Sequence, residues 1–273
     1  MKRDRPPRRA KDTLRDLDVR PSKERGQNFL IRPEIIDSIV EFAEAPTDAH
    51  VVEIGPGMGA LTAKLADRER FTVIEIEPNF CKHLAETHSR IQIINQDVRK
   101  VDFSTIGSSL FVFGNIPYVF STDIIFHLIE NRAVVQHAVL MVQREFAERV
   151  AASPGGRQYG SLSVAIQMYA DITLGPIVPG TSFHPPTAVE SRVMKITFLS
   201  TPRVAVDDPR HFEIVVRAAF AQRRKKLVNS LMSTGRWTKE RVNAALNAAS
   251  ISPDIRAEQL GIAEFARLAR ELR

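Results

Sequence analysis

Asn115-Ile116-Pro117-Tyr118 carries the parts needed to hold a planar base for reaction. An exocyclic adenine nitrogen is a poor nucleophile, because its lone pair is delocalised into the ring. Hydrogen-bond acceptors on its protons bring that nitrogen toward tetrahedral geometry and aim the lone pair at an incoming methyl group. Asn115 offers a side-chain carbonyl for this and Ile116 a backbone carbonyl. Pro117 restricts Ile116 to an extended conformation, which fixes where that carbonyl points. Tyr118 supplies an aromatic face on which a flipped base can stack. The chemistry is an in-line displacement in which positioning is the main lever and no metal is required. Four residues with a proline also make an ordinary turn, so the reading depends on what lies upstream.

Upstream stands Glu53-Ile54-Gly55-Pro56-Gly57-Met58-Gly59, a glycine turn directly after an apolar run. Glycines let backbone approach a ligand closely, and a following helix presents free N–H groups. Pro56 interrupts the G-x-G-x-x-G spacing of dinucleotide sites, which favours a cofactor without a pyrophosphate, such as S-adenosylmethionine. Gly55 and Gly57 are the expected contacts. Glu75 falls about twenty residues after Gly55, where an acid can accept hydrogen bonds from ribose hydroxyls. Glu77 competes with it, since side chains alternate along a strand and only one of the two can face the pocket squarely. Asp97, at the end of the next strand, is placed to accept from an adenine amino group. The competing reading makes these carboxylates helix caps; their recurrence at successive strand ends favours the cofactor. Phe183, in Ser182-Phe183-His184-Pro185-Pro186, is a candidate second aromatic for a base sandwich, or else a core plug. His184 reads as a surface histidine.

These residues need strands to carry them. Pro33 opens a helix with Ile35, Ile36, Ile39, Val40 and Phe42 at helical spacing. Strands are expected over 50–54, 71–76, 91–95, 110–114 and 138–142. Helices are expected after the glycine turn and over 80–88, 121–130 and 144–151. Such alternation predicts an α/β, Rossmann-like, mostly parallel sheet covered on both faces. Residues 172–178 and 192–199 read as a hairpin closing that sheet. Beyond Pro202, helices over 212–231, 239–249 and 263–272 predict a small C-terminal helical domain. The expected division is a basic, disordered or loosely helical tail over 1–20, the methyltransferase-like domain over 21–201 and the helical domain over 202–273. Order is expected from near Pro21.

The net charge of +6 over 273 residues favours a polyanionic partner, since Lys and Arg contacts to phosphates supply sequence-independent affinity. Arg223, Arg224, Lys225 and Lys226 are expected to spread charge around a helix, and Arg144, Arg149 and Arg157 to extend a basic surface for RNA. Any one of them alone reads as solvated surface charge. Cys81 is the only cysteine, which excludes an internal disulfide and a cysteine-rich zinc site. No apolar run nears the roughly 20 residues of a bilayer span, and the N-terminus lacks the apolar stretch of a secretory signal. A cytoplasmic monomer is the expectation.

In these motifs the chain resembles the small-subunit ribosomal RNA adenine dimethyltransferases, the KsgA family. The matching residues are Gly26-Gln27-Asn28-Phe29-Leu30, Val52 to Gly57, Val73-Ile74-Glu75, Gln96-Asp97 and Phe113 to Tyr118, followed by Tyr159 to Val164, Phe183 to Pro186 and Ala219 to Lys225. The resemblance implies a class I S-adenosylmethionine-dependent methyltransferase. It puts Asn28 and Leu30 beside the cofactor, Gly55 under it, Glu75 at its ribose, Asp97 at its adenine and Asn115 at the target amino group. It also implies dimethylation of two adjacent adenosines in the terminal hairpin of small-subunit rRNA, and a role in late ribosome assembly. Val119-Phe120-Ser121-Thr122 departs from the usual Asn-Ile-Ser-Thr. Asn-Ile-Pro-Tyr also occurs in large-subunit methyltransferases of macrolide-resistance type, which stand as the alternative. An assembly factor acting mainly by binding RNA is a third.

Overall fold

The structure is a computed structural model that describes residues 10–21 and 27–273. Residues 1–9 of the expected tail, and Gly26 of the Gly26-Gln27-Asn28 motif, lie outside the described residues. The chain forms two compact units: one runs to Ala147 and takes in Thr173–Phe198, the other comprises Glu148–Ile172 and Leu199–Arg273.

In the first unit order begins before Pro21. Helix α1 (Ala10–Asp16) stands where a tail was expected, because Leu14, Leu17 and Val19 give that segment an apolar side that packs with Phe29, Phe80 and Met58. Strand β1 (Phe29–Leu30) follows, then helix α2 (Pro33–Ala43), which opens on its proline and buries Ile36, Ile39 and Ala43. Strands and helices then alternate: β2 (His50–Ile54), α3 (Thr62–Leu65), β3 (Phe71–Glu75), α4 (Pro78–Thr87), β4 (Gln92–Asn95), β5 (Leu110–Asn115), α5 (Ser121–Glu130), β6 (Val135–Gln143) and α6 (Arg144–Val150). Strands β7 (Ala170–Val178), β8 (Phe183–His184) and β9 (Ser191–Phe198) complete the set.

The main sheet has the order β4-β3-β2-β5-β6-β9-β7. β2 pairs in parallel with β3 and β5, β3 with β4, and β5 with β6, while β9 runs antiparallel to β6. The expected pairing of the 172–178 and 192–199 stretches appears as β7 beside β9 at the sheet edge. The central strands are buried on both faces, with Val51, Val52, Phe111, Val112 and Phe113 all in the core, which is why they read as apolar runs and not as alternating patterns. Ile36, Ile39, Leu65 and Leu84 from the helices pack on Val51, Val73 and Phe113 from the sheet.

Phe183 belongs to that core. Its backbone pairs with Leu30 across the short β1–β8 ladder, and its ring is 1% exposed. Of the two readings open for it, the ring takes the core plug. The flanking prolines fix the loop, yet the ladder turns the ring inward.

The second unit is helical: α7 (Ser161–Gln167), α8 (Pro209–Ala219), α9 (Leu227–Met232), α10 (Lys239–Ala248) and α11 (Ile262–Glu271). Its core joins Phe212, Val215, Leu231, Leu246 and Phe265 with Tyr159, Val164 and Met168. The sequence reading marks no element where α7 stands. The single helix expected over 212–231 is two. Ser230 explains the break: its buried hydroxyl donates to the Ala218 carbonyl at 3.0 Å and accepts from the Gln222 N–H at 2.9 Å, fixing a turn between α8 and α9. Arg223, Arg224 and Lys225 therefore sit in a turn, and Lys226 caps α9 in an extended conformation.

Phe183→Ala is expected to cost about 3–5 kcal/mol of stability through the cavity it leaves. Urea unfolding measures this directly; an unchanged midpoint would contradict the core assignment.

Candidate active site

A cavity of about 240 Å³ opens in the first unit at the C-terminal ends of β2 to β5. Its walls include Asn28, Gly55, Gly57, Glu75, Asp97 and the stretch Asn115 to Tyr118. The structure thus gathers most of the sequence-predicted cofactor and base residues into one place. The parallel register explains the convergence, since Ile54 stands level with both Ile74 and Gly114.

The glycine turn is held by a buried acid. Gly55 and Gly57 have positive φ values of 64° and 54°. A Cβ on Gly57 would lie 2.9 Å from the Phe29 ring. Glycine is thus required there by conformation and by space. The Gly57 N–H donates to Glu75 Oε2 at 3.1 Å, and the Glu77 N–H donates to Oε1 at 2.9 Å. Burial pushes the Glu75 carboxyl up from its ordinary range, and these backbone donors pull it back. Of the two competing acids, Glu75 lines the cavity, while Glu77 stands at the N-cap position of α4 with no capping hydrogen bond to its side chain.

Asp97 follows β4 and faces the cavity. Arg99 binds it through two side-chain nitrogens, with Nη2 to Oδ2 at 2.6 Å and Nε to Oδ1 at 3.0 Å. Those hydrogen bonds hold the Asp97 carboxyl below its ordinary range. Opposite, Asn115 Nδ2 donates to the Asn28 carbonyl at 2.9 Å. That bond engages the amide nitrogen and leaves Asn115 Oδ1 as the side chain's acceptor. Pro117 is extended at φ −59° and ψ 129° and leads into a 3₁₀ turn over Tyr118–Phe120. The Tyr118 and Ser191 hydroxyls share a 2.5 Å hydrogen bond, which tethers the ring by its far end. Burial raises the Tyr118 phenol above its ordinary range.

Two predicted contacts do not reach the cavity. Leu30 is in the core, one residue past the cavity-lining Phe29, and Phe183 packs there with it. The strand alternation explains Leu30: Phe29 and Leu30 point to opposite sides. Phe29, Phe80, Arg99 and Phe120 line the cavity without having been singled out. Phe29 lay inside a quoted motif. Arg99 and Phe120 each stand two residues past a predicted contact, and no spacing rule marks them.

The residues fit S-adenosylmethionine. Two carboxylates, Glu75 and Asp97, and an apolar gap lined by Phe29, Ile76 and Phe80 offer the acceptors and the apolar space that an adenosine needs, and the N–H groups of Gly55, Gly57 and Gly59 already donate within the protein. Among the described residues there is no cluster of acids, histidines and cysteine that would hold a metal.

The basic residues are spread over both units. Arg144 pairs with Glu190 at 2.7 Å in the first unit. In the second, Lys226 pairs with Asp254 at 2.5 Å. Arg223 spends its guanidinium on the carbonyls of Arg157 and Tyr159, at 2.8 and 2.9 Å. Arg149, Arg157, Arg224 and Lys225 are exposed, with no ion-pair partner among the described residues. The second unit has 16 Lys and Arg against 10 Asp and Glu, whereas the first balances 22 against 22. The whole net charge therefore resides in the helical unit. No helix among the described residues is long and apolar enough to cross a membrane.

Comparison with known proteins is consistent with this geometry. The family model described as ribosomal RNA adenine dimethylase matches residues 20–273. Ribosomal RNA small subunit methyltransferase A of Geobacillus thermodenitrificans is 41% identical over 97% of this chain and 96% of its own length. The protein of that name from Moorella thermoacetica is 40% identical over 97% of each. Among solved structures, a dimethyladenosine transferase from Plasmodium falciparum aligns with a TM-score of 0.73 and 25% identity, covering 88% of this chain and 95% of the other. The 23S rRNA methyltransferase ErmE aligns with a TM-score of 0.69 and 27% identity, covering 90% and 99%.

Glu53 gives a pH prediction. It is wholly buried behind the glycine turn, accepts from the Thr62 hydroxyl at 2.7 Å, and burial raises its carboxyl to about 8. Between the ordinary 4.5 and about 8 the folded protein keeps a proton that the unfolded chain releases, so stability falls as pH rises through that window. Glu53→Gln keeps an acceptor for Thr62 and removes the titration. Its Tm is expected to rise relative to wild type between pH 5 and pH 8, two settings inside roughly that window; parallel Tm profiles would contradict the buried carboxyl.

Proposed function

The chain belongs to the ribosomal RNA adenine dimethylase family and is a small-subunit rRNA adenine N6-dimethyltransferase; from that premise we propose which residues perform the reaction, on which part of the RNA and with which methyl donor. The donor is S-adenosylmethionine, whose sulfonium supplies the methyl group. Glu75 accepts from the ribose hydroxyls on the lone pairs that Gly57 and Glu77 leave open. Asp97 accepts from the adenine amino group, and Gly55 and Gly57 keep the floor of the cavity free of side chains.

The target adenine enters beside Tyr118 and stacks on its ring, which Ser191 holds by the hydroxyl. Asn115 Oδ1 and the Ile116 carbonyl accept from the exocyclic amine and aim its lone pair along the axis of displacement. Asn28 acts at one remove, because its carbonyl fixes which end of the Asn115 amide faces the base. The single observation that carries this reading is that bond, which commits the amide nitrogen and presents the oxygen. After the first transfer the monomethylated amine still has one proton, so one of the two acceptors holds it for the second round.

The substrate is the pair of adjacent adenosines in the 3′-terminal hairpin of small-subunit (16S) rRNA, presented by an immature small subunit in the cytoplasm, and the enzyme acts as a monomer. Arg149, Arg157, Arg224 and Lys225 meet phosphates from the helical unit. Arg223 serves by tying the Arg157 loop to the basic turn. The 27% likeness to ErmE does not favour the large-subunit alternative, since the relatives near 40% over nearly the whole chain bear the small-subunit name.

Asn115→Ala is expected to lower methyl transfer to unmodified small subunits by about 100-fold or more, the scale of a lost positioning or oxyanion-type contact. S-adenosylhomocysteine binding is expected to survive. Transfer at the wild-type rate would remove Asn115 from its role. The same variant bears on the assembly-factor reading: rescue of ribosome maturation without methylation would show that RNA binding is the main task.

A further inference from the structure

Arg99 is the cavity residue that neither the motifs nor the proposed chemistry absorbs. It lies in the 3₁₀ turn Val98–Lys100 after β4 and makes three kinds of contact. To Asp97 it donates from its backbone N–H (3.0 Å to Oδ1), from Nε (3.0 Å to Oδ1, 3.2 Å to Oδ2) and from Nη2 (2.6 Å to Oδ2). Its guanidinium carbon sits 4.2 Å from the centroid of the Phe120 ring. Its Nη1 stands 3.9 Å from Asp123 Oδ2 on α5. Arg99, Asp97 and Phe120 all line the cavity.

These contacts count out the lone pairs of Asp97. An ionised carboxylate offers about four acceptor sites. Oδ1 gives its two to the Arg99 backbone and Nε. Oδ2 takes Nη2 and a share of the same Nε hydrogen at 3.2 Å, so three hydrogens meet about four acceptor directions and one is left on a carboxylate that lines the cavity. A free aspartate on a turn rotates about its side-chain bonds; one gripped by a planar fork does not. The stack on Phe120 then fixes the fork itself, because a guanidinium over an aromatic face is held in plane as well as in charge. Phe120 closes the turn that Tyr118 opens, so the grip on the adenine side rests on the wall that holds the base.

Building on the S-adenosylmethionine reading above, we infer that Arg99 is a positioning residue that leaves Asp97 one open acceptor for the cofactor's 6-amino group, using Phe120 as its seat. It sets purine selectivity in the cofactor without touching the reacting atoms. A 6-oxo purine presents an oxygen to that single acceptor and is repelled. Asp97 without Arg99 can rotate away from the oxygen and tolerate it. The ribose end, held by Glu75 on a different strand, is independent of Arg99.

The test compares binding of S-adenosylhomocysteine, its 6-oxo (inosine) counterpart and its 2′-deoxy counterpart by calorimetry, in wild type, Arg99→Leu, Arg99→Lys and Phe120→Leu. In wild type the amino form is expected to bind at least about ten-fold more tightly than the 6-oxo form, the scale of one charge-assisted hydrogen bond. Arg99→Leu is expected to bring that ratio close to one while the preference over the 2′-deoxy form stays at its wild-type value. Arg99→Lys keeps the charge without the fork and is expected to recover only part of the ratio, and it stands in should the leucine variant fail to fold. Phe120→Leu is expected to fall between Arg99→Leu and wild type. An undiminished amino-to-oxo ratio in Arg99→Leu overturns the inference, and so does an equal collapse of both ratios, which would mark a general structural role. Failure of wild type to bind S-adenosylhomocysteine at all would instead defeat the cofactor reading beneath it.

Discussion

The hydrogen bond from the Gly57 N–H to the buried Glu75 carboxylate is the contact on which the cavity depends. Gly57 turns through a conformation that side-chain-bearing residues rarely adopt, and the Phe29 ring leaves no space for a Cβ. The turn directs its N–H inward, where water is scarce. An orphaned buried donor costs on the order of 1–3 kcal/mol, so the turn needs an acceptor at that point. Glu75 supplies it, and the Glu77 N–H steadies the other oxygen. A buried carboxylate left without donors is unfavourable in its own right. Turn and acid therefore require each other. A second acid, Glu53, lies behind the same turn and is tied to Thr62 of the following helix, so the loop is braced from both sides.

The parallel sheet turns this local lock into a site. β2, β3, β4 and β5 run the same way, and their pairing brings Ile54, Ile74, Ile94 and Gly114 level across four strands. Whatever follows each strand emerges along one edge, which delivers the glycine turn, Glu75, the Asp97 turn and the Asn115 tetrapeptide together. The strand order reverses at β2, with β3 on one side and β5 on the other, and in open α/β sheets such a reversal opens a crevice at the strand ends. Phe80 from α4 and Phe29 from the segment before α2 close the apolar side, and α1 packs against both. The helical unit contributes charge instead. Its core is separate, and its excess of basic residues suits a phosphate backbone.

Much of this was legible in the sequence because the signals are local. Apolar runs of four to six residues, each ending in a glycine, an acid or Asn115, mark strands whose ends bear function, and the alternation with helices fixes the fold class. Glu75 and Glu77 looked alike from spacing; burial separates them. Spacing does not show that Leu30 turns away from the cavity, nor which of the two readings of Phe183 holds, because a two-residue ladder decides which way they point, and a pairing across 153 positions leaves no local trace. The basic stretch at 223–226 looked helical by composition. Ser230, whose hydroxyl bridges two backbone groups, breaks that helix, and a buried serine gives no periodic signal. Composition leaves the segment at 10–16 open between disordered and loosely helical, because three apolar residues in a charged segment matter only once Phe29 and Phe80 are there to receive them. Arg99 was invisible for the same reason, since its partners Phe120 and Asp123 come from another turn and another helix.

The central claim is that this cavity presents small-subunit adenosines to a methyl donor. The most direct measurement is methyl transfer from labelled S-adenosylmethionine to purified, unmodified small and large ribosomal precursors, with the products mapped by nuclease digestion and mass spectrometry. Dimethyladenosine at two adjacent residues near the 3′ end of the small-subunit RNA is the result expected. Label confined to large-subunit RNA, or absent from both, would contradict it.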